Sequence, residues 1–460
     1  MQRKFRAALI VLALALSVWT PFIVSGYAEL DKASRASAHV EAAEHYERAA
    51  QRIPWRPDLY ELAGHYFYHA GEYARAQEAY QQAFERDALS PDGWVAWGDV
   101  LYLSGDAQRA AEVWTQALDQ PAHSANLYSR LAEIYQQSGE YAKAAQFLQQ
   151  YIQIHSQDAS ARYRLGLLLT LTAPQQAVTE LLHAAQLDPQ FDPASQTLRT
   201  AVNLAALSGD LSEQKVIIGR GLGLVDEWSL AHAAFAEAVR LDEKNAEAWA
   251  WLGEAEQHTA GSEALSHLDR ALALDSNSPV VRGLRGLYFQ RIGNHRQALS
   301  EFQSAAKLEP ENPAWYVSIG EEFANLGDLI TALEAYQYAT TVAPQDAHYW
   351  QLLAEFCARN DAYVRDVGIP AARKALELKP KDPPLLDTLG WLMILDERYY
   401  EAKWYLLQAV EADPQSASVH FHLALLYLQT GDSQAMREHL IQARDLGSAE
   451  AEALLAQYFP

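Results

Sequence analysis

Gly219, Gly221 and Gly223 stand in "GRGLG", a spacing that invites comparison with loops whose bare amides cradle phosphate. No Lys-Ser/Thr follows, the third interval is wrong for G-x-G-x-x-G, and no strand-like segment precedes the run. Nucleotide binding is therefore not expected. His420 and His422 in "HFH" suggest a metal, but side chains two apart on a helix diverge by about 200°, so they cannot share one ion. Cys357, in "LLAEFCARN", is the single cysteine. It excludes an internal disulfide and a cysteine-rich zinc site, and its apolar setting points to packing. H-E-x-x-H, G-x-S-x-G and Cys/His zinc spacings do not occur. Carboxylate pairs such as Glu321-Glu322 are common on solvated helix faces. No catalytic residue, cofactor or metal is assigned on these grounds.

The chain has 460 residues, half of them hydrophobic, and a formal net charge of -23. That sign opposes nucleic acid, whose binding proteins displace counterions with Lys and Arg, and it disfavours anionic membrane surfaces. At the N-terminus, Arg3, Lys4 and Arg6 precede an uncharged run over residues 7–24. Eighteen helical residues reach about 27 Å, close to a hydrocarbon core of about 30 Å. The basic flank stays in the cytoplasm, which places the rest of the chain outside it. Residues 1–28 are thus a signal anchor or a signal peptide. In the first case the chain is membrane-anchored through residues 7–24. In the second, cleavage near Ala28, after "GYA", leaves a secreted or periplasmic protein. The length of the run favours the anchor, and Pro21 keeps the alternative open.

A period of about 34 residues runs through the remainder. Gly64, Gly98 and Ala132 recur at intervals of 34, and Gly253, Gly286, Gly320, Ala354, Gly390 and Ala424 at 33 to 36. A second ladder, Ala264, Ala298, Ala332 and Ala402, has a large residue four places on: Leu268, Phe302, Tyr336 and Leu406. Gly-Asp or Gly-Glu turns separate the two ladders, as in "LGDLITA", and proline closes units in "KLEPEN", "TVAPQD" and "ELKPKD". Glycine ends a first helix by taking φ > 0, and the acid after it suits the N-terminus of a second.

With "WVAWGDVL", "WAWLGEAE" and "YVSIGEEF" in the first half and "AAEVWTQA", "ALSEFQSA" and "ALEAYQYA" in the second, the chain strongly resembles the tetratricopeptide repeat over roughly residues 35–447. The resemblance implies an all-α fold: a right-handed superhelical solenoid of antiparallel helix pairs, about eleven units plus a C-terminal capping helix. Its blocks are an N-terminal one at 29–189, an extra helix at 190–211, a C-terminal one at 212–447 and the cap at 448–460. Gly219 falls on the repeat's small position and His420 on a slot elsewhere filled by Trp or Tyr, so both read as packing residues.

In that family the first helix of each pair, helix A, lines a concave groove that holds protein segments. The matching outward positions here include His65, Asp99, Glu133, Glu254, Glu321, Asn325, Glu355, Trp391, Phe421 and Leu425, with Glu61, Val95 and Asp387 beside them. The Lys and Asn clamp by which some members grip a C-terminal carboxylate is absent. An acidic middle with an apolar C-terminal end suits basic or amphipathic protein or peptide ligands. The expected function is a non-enzymatic, membrane-tethered, extracytoplasmic scaffold, by family analogy for assembly of envelope, secretion or polysaccharide machinery. The alternatives are an accessory hydrolase or transferase using groove carboxylates, and a self-associating structural protein.

Overall fold

The computed structural model describes residues 2–120, 125–259 and 261–459, with side chains from residue 19 onward. Among the described residues there are helices and turns and no strand. The chain divides into two compact units, Met1–Ala234 and Phe235–Pro460.

The first unit pairs α1 (Gln2–Arg35) with α2 (His39–Arg52), α3 (Asp58–His69) with α4 (Tyr73–Phe84), and α5 (Pro91–Leu103) with α6 (Ala107–Leu118). It continues with α7 (Asn126–Gln137) on α8 (Tyr141–Ile154) and α9 (Ala159–Thr172) on α10 (Pro174–Leu187). The helix α11 (Asp192–Ala205) follows, then α12 (Leu211–Leu224) and α13 (Trp228–Leu241), within which the division falls. The second unit pairs α14 (Ala246–His258) with α15 (Ala264–Leu274), α16 (Pro279–Arg291) with α17 (His295–Leu308), and α18 (Pro313–Asn325) with α19 (Leu329–Val342). Then come α20 (Ala347–Arg359) with α21 (Ile369–Leu378), α22 (Pro383–Leu395) with α23 (Tyr399–Ala412), and α24 (Ala417–Thr430) with α25 (Ser433–Asp445). The last helix, α26 (Ala449–Tyr458), lays Leu454 and Leu455 on the Met436/Leu440 cluster as the expected cap.

One unit shows why the sequence folds this way. α18 ends at Asn325, and the chain turns at Gly327, whose φ of 85° an L-side chain rarely adopts. The Gly327 amide donates to Ala324 O and the Asp328 amide to Phe323 O, both at 2.9 Å, which satisfies carbonyls the helix leaves open. The Asp328 side chain then accepts from the Thr331 amide at 3.1 Å and caps α19. Across the pair, a Cβ on Gly320 would lie 2.8 Å from the Tyr336 ring and 3.1 Å from Ala332 O, so only glycine lets the two helices approach this closely. Tyr336, buried in the gap, stacks on Phe356 of the next pair at 4.8 Å. Burying such a side chain is worth about 1.5–3 kcal/mol, and the next pair supplies part of that burial through Phe356. A lone pair would leave its apolar face in water.

Two features extend the sequence reading. The array begins earlier than residue 35: α1 runs unbroken across residue 28, and its last turns pack on α2 as the first member of a pair. Gly26, Glu29 and Ala33 are buried there. The extra helix α11 has partners, packing on both α10 and α12 and burying Leu198, Val202 and Ala205. Among the described residues no helix is long and apolar enough to cross a membrane. Of the expected span at 7–24, the side chains of 7–18 lie outside the described residues.

Candidate protein-binding face

Within each unit the A helices touch one another as well as their partners: α3 meets α5, α14 meets α16, and α18, α20, α22 and α24 meet in sequence. The expected groove residues stand on this layer, and the structure sorts them into two kinds.

The first kind is taken up by neighbours. The Arg130 guanidinium donates to Asp99 at 2.5 and 2.9 Å. This pair lines a cavity of about 350 Å³ with Tyr68, Tyr102, Trp114 and Glu133. Glu254 is only 4% exposed. Both its oxygens accept from Arg291, at 2.6 and 2.7 Å, with His258 at 3.2 Å. Glu322 is fully buried between Gln290 and His295, at 2.7 and 2.9 Å. Its neighbour Glu321 stays part-exposed. Asp387 is buried and accepts from His422 Nδ1 at 2.8 Å and Ser418 Oγ at 2.5 Å. Glu61 accepts from the Ser90 amide and hydroxyl, each at 2.5 Å. Burial raises the Glu61 carboxyl, and hydrogen bonds from His65 and Ser90 outweigh it, leaving its pKa below the usual value. His65 Nδ1 in turn sits 2.8 Å from the Tyr80 hydroxyl. The contacts of Asp99 with Arg130, Glu254 with Arg291, Glu322 with Gln290 and Asp387 with Ser418 and His422 join A helices one repeat apart. The signal in the sequence was an acid followed 31 to 37 positions on by its donor, as in Asp99/Arg130 and Glu254/Arg291.

The second kind remains exposed or part-exposed. Glu321 on α18 and Glu355 on α20, both part-exposed, flank the Tyr336 hydroxyl with Arg359. Burial first, then Glu321, push that hydroxyl up to about 12, with Arg359 opposing and Glu355 adding. Glu355 also accepts from Gln351 at 2.8 Å. Asn325 is exposed at the end of α18, and Glu133 is exposed on α7. Farther along, Trp391 and Leu425 are part-exposed members of one apolar cluster and Phe421 of the next. Trp391 stacks on His422, ring centres 4.7 Å apart.

The chemistry candidates resolve into packing. Gly221 lies inside α12, where a Cβ would meet Ala201 of α11 at 2.5 Å, and Gly223 faces the Trp228 ring. These glycines admit neighbours. His420 and His422 point apart as their spacing requires: His420 donates from Nε2 to Pro414 O at 3.1 Å and meets His439 at 3.0 Å, while His422 binds Asp387. Ser418, Asp387 and His422 meet, but the carboxylate sits between the other two. A nucleophilic serine needs the imidazole in that place. Cys357 is fully buried, and burial pushes its thiol up to about 12. Among the described residues no three His, Cys, Asp or Glu side chains gather as a metal site.

Comparison with known proteins agrees with the repeat residues. Two tetratricopeptide-repeat models match, one over 101–168 and the other over 62–113, 226–279 and 284–347. The middle TPR-like domain of cilia and flagella-associated protein 70 matches residues 316–446. No curated protein matches the chain. Among solved structures, yeast Tom70 aligns at 18% identity and a TM-score of 0.42, covering 96% of this chain and 95% of its own. The Cut9-Hcn1 hetero-tetramer of the APC/C aligns at 15% and 0.40, covering 98% of each. A tetratricopeptide repeat protein from Parabacteroides merdae aligns at 14% and 0.44, covering 54% of this chain and 98% of its own. On its repeat ladders, the glycine-to-aromatic packing of its helix pairs and the family matches, the chain is a tetratricopeptide-repeat protein.

Proposed function

We propose that the chain is a scaffold tethered to a membrane through residues 7–24, with its repeats outside the cytoplasm. It holds a basic, amphipathic protein segment on the A-helix face of the second unit. Tetratricopeptide repeats serve protein–protein interaction, which supports the general role. The observation that carries the finer reading is the division among the acids. Asp99 and Glu254 are committed to arginines of the next A helix, whereas Glu321 and Glu355 remain part-exposed around Tyr336. On following A helices stand Trp391, Phe421 and Leu425. A ligand helix with cations at one end and apolar residues at the other matches that order.

The test uses the full chain in phosphatidylcholine nanodiscs and a fluorescent amphipathic Lys/Leu peptide as probe. Anisotropy should report binding that weakens at least about tenfold in the E321K/E355K double variant, since two reversed contacts at roughly 1 kcal/mol each suffice. Equal binding by both proteins overturns the acidic-face reading. Glu254 is unsuitable for this purpose, because reversing it would break a buried ion pair.

A further inference from the structure

α1 enters the first unit with its aromatic side chains still in the open. Trp19, Phe22 and Tyr27 are 50%, 46% and 49% exposed, and Val24 is 61% exposed. Beside them lies the corner between α2 and α3. Ile53, fully buried, presses on Gly26: a Cβ there would come 2.5 Å from Ile53 Cγ1. The Arg56 amide donates to Ile53 O at 2.9 Å, which folds residues 53–56 into a tight turn with Trp55 at its tip. Trp55 is 51% exposed. Arg56 is held by Asp58 and, more weakly, feels Tyr27, so the corner stands against α1 at the level of residues 26 and 27.

We propose that this corner, led by Trp55, is a second membrane contact that seats in the interfacial layer of the bilayer crossed by residues 7–24. The inference rests on the tether reading above. If the hydrocarbon core ends near Val24, Gly26 and Tyr27 lie about 3–5 Å beyond it at about 1.5 Å per residue. Headgroups and interface extend about 5–8 Å on each side, so the corner packed on Gly26 falls inside that layer. Its composition suits the place. Trp and Tyr gather at membrane interfaces, and arginine keeps its charge at the polar edge while its stem lies along apolar surface. Arg52 and Arg56 stand on either side of Ile53 and Trp55.

The arrangement also favours lipid over a protein partner. At about 100° per residue, Tyr27 points about 100° away from Gly26 and Val24 about 160° away, whereas Phe22 and Trp19 share its face. Exposed apolar groups therefore spread over about 200° of the helix circumference, wider than one docking stripe. Docking of one protein surface would call for a single stripe. Gly26 has a role under this reading that cleavage after Ala28 would remove. It lets the corner close on α1, so the first repeat and the tether are one rigid piece.

The test places an environment-sensitive NBD label on W55C in the full chain, since the native Cys357 is buried. Flotation with phosphatidylcholine vesicles is measured first. Label exposure is then compared in nanodiscs and in a bilayer-free amphipol. The expected result is flotation, several-fold lower iodide quenching in nanodiscs than in amphipol, and quenching by headgroup nitroxide lipid. A chain that floats but whose label is equally open to iodide in both settings overturns the corner contact and leaves the tether standing. A chain that does not float overturns both.

Discussion

Glu254 on α14 and Arg291 on α16 lie 37 residues apart in the chain and form a two-pronged ion pair at 2.6 and 2.7 Å. The carboxylate is buried and the guanidinium is partly open to water. Removing the arginine therefore strands a charge that burial cannot tolerate. Arg291→Ala should cost about 1–3 kcal/mol, read from the urea midpoint, with faster hydrogen exchange confined to α14–α17. Loss spread evenly over the second unit would contradict a strut between two A helices.

Gly320 and Tyr336 make a second local test. Gly320→Ala improves helix propensity by about 1 kcal/mol, yet its Cβ would press on the Tyr336 ring and on the Ala332 carbonyl. Overpacking should win, with a net loss of about 1–3 kcal/mol. Alanine already faces leucine at the same sixteen-residue spacing in other units, as Ala132 with Leu148 and Ala424 with Leu440, all four buried. Adding Tyr336→Leu should therefore restore part of the thermal midpoint. A stabilised Gly320→Ala protein would show that close approach is not what the glycine provides.

Much of this was legible in the sequence because it is local and repeated. Gly327-Asp328 announces a turn through backbone freedom and capping, and Gly320 to Tyr336 announces a contact through spacing. Glu321 and Glu355 were placed on an outward face by the same period. Other features needed three dimensions. Glu321 and Glu322 are adjacent carboxylates, but successive helical residues turn by about 100°, and this rotates one to the surface and the other into full burial. Asp99 and Glu254 looked like open groove acids, because their arginines arrive from the next repeat. The first helix pair was hidden because the apolar run of α1 masks the repeat pattern it flows into.

Glu29 predicts a pH dependence. Hydrogen bonds from His45 and then Lys32, against a burial cost, hold its pKa down to about 2 from 4.5. A carboxyl depressed in the folded state contributes stability that is fully present above the unfolded value and is lost as pH falls toward the folded one. The wild-type thermal midpoint should exceed that of Glu29→Gln from neutrality to about pH 4.5. The difference should shrink through the acid range and vanish near pH 2. A constant difference across that range would show that the ionised Glu29 does not stabilise the fold.

Cys357 should be inert. With its thiol raised to about 12 and fully buried, it should react with a water-soluble disulfide reagent at pH 8 only after urea unfolding. Prompt reaction in the native protein would mean that the core of α20 opens readily.

The proposed scaffold holds its partner segment along the A helices of the second unit. Photo-crosslinking from the full chain in native membranes tests it most directly, with a benzophenone residue at exposed Asn325 on α18 or at Tyr400 on α23, a B helix, 88% exposed. Discrete protein adducts are expected from Asn325, diminished by E321K/E355K, with none from Tyr400. Adducts from Tyr400 with none from Asn325 would contradict that placement.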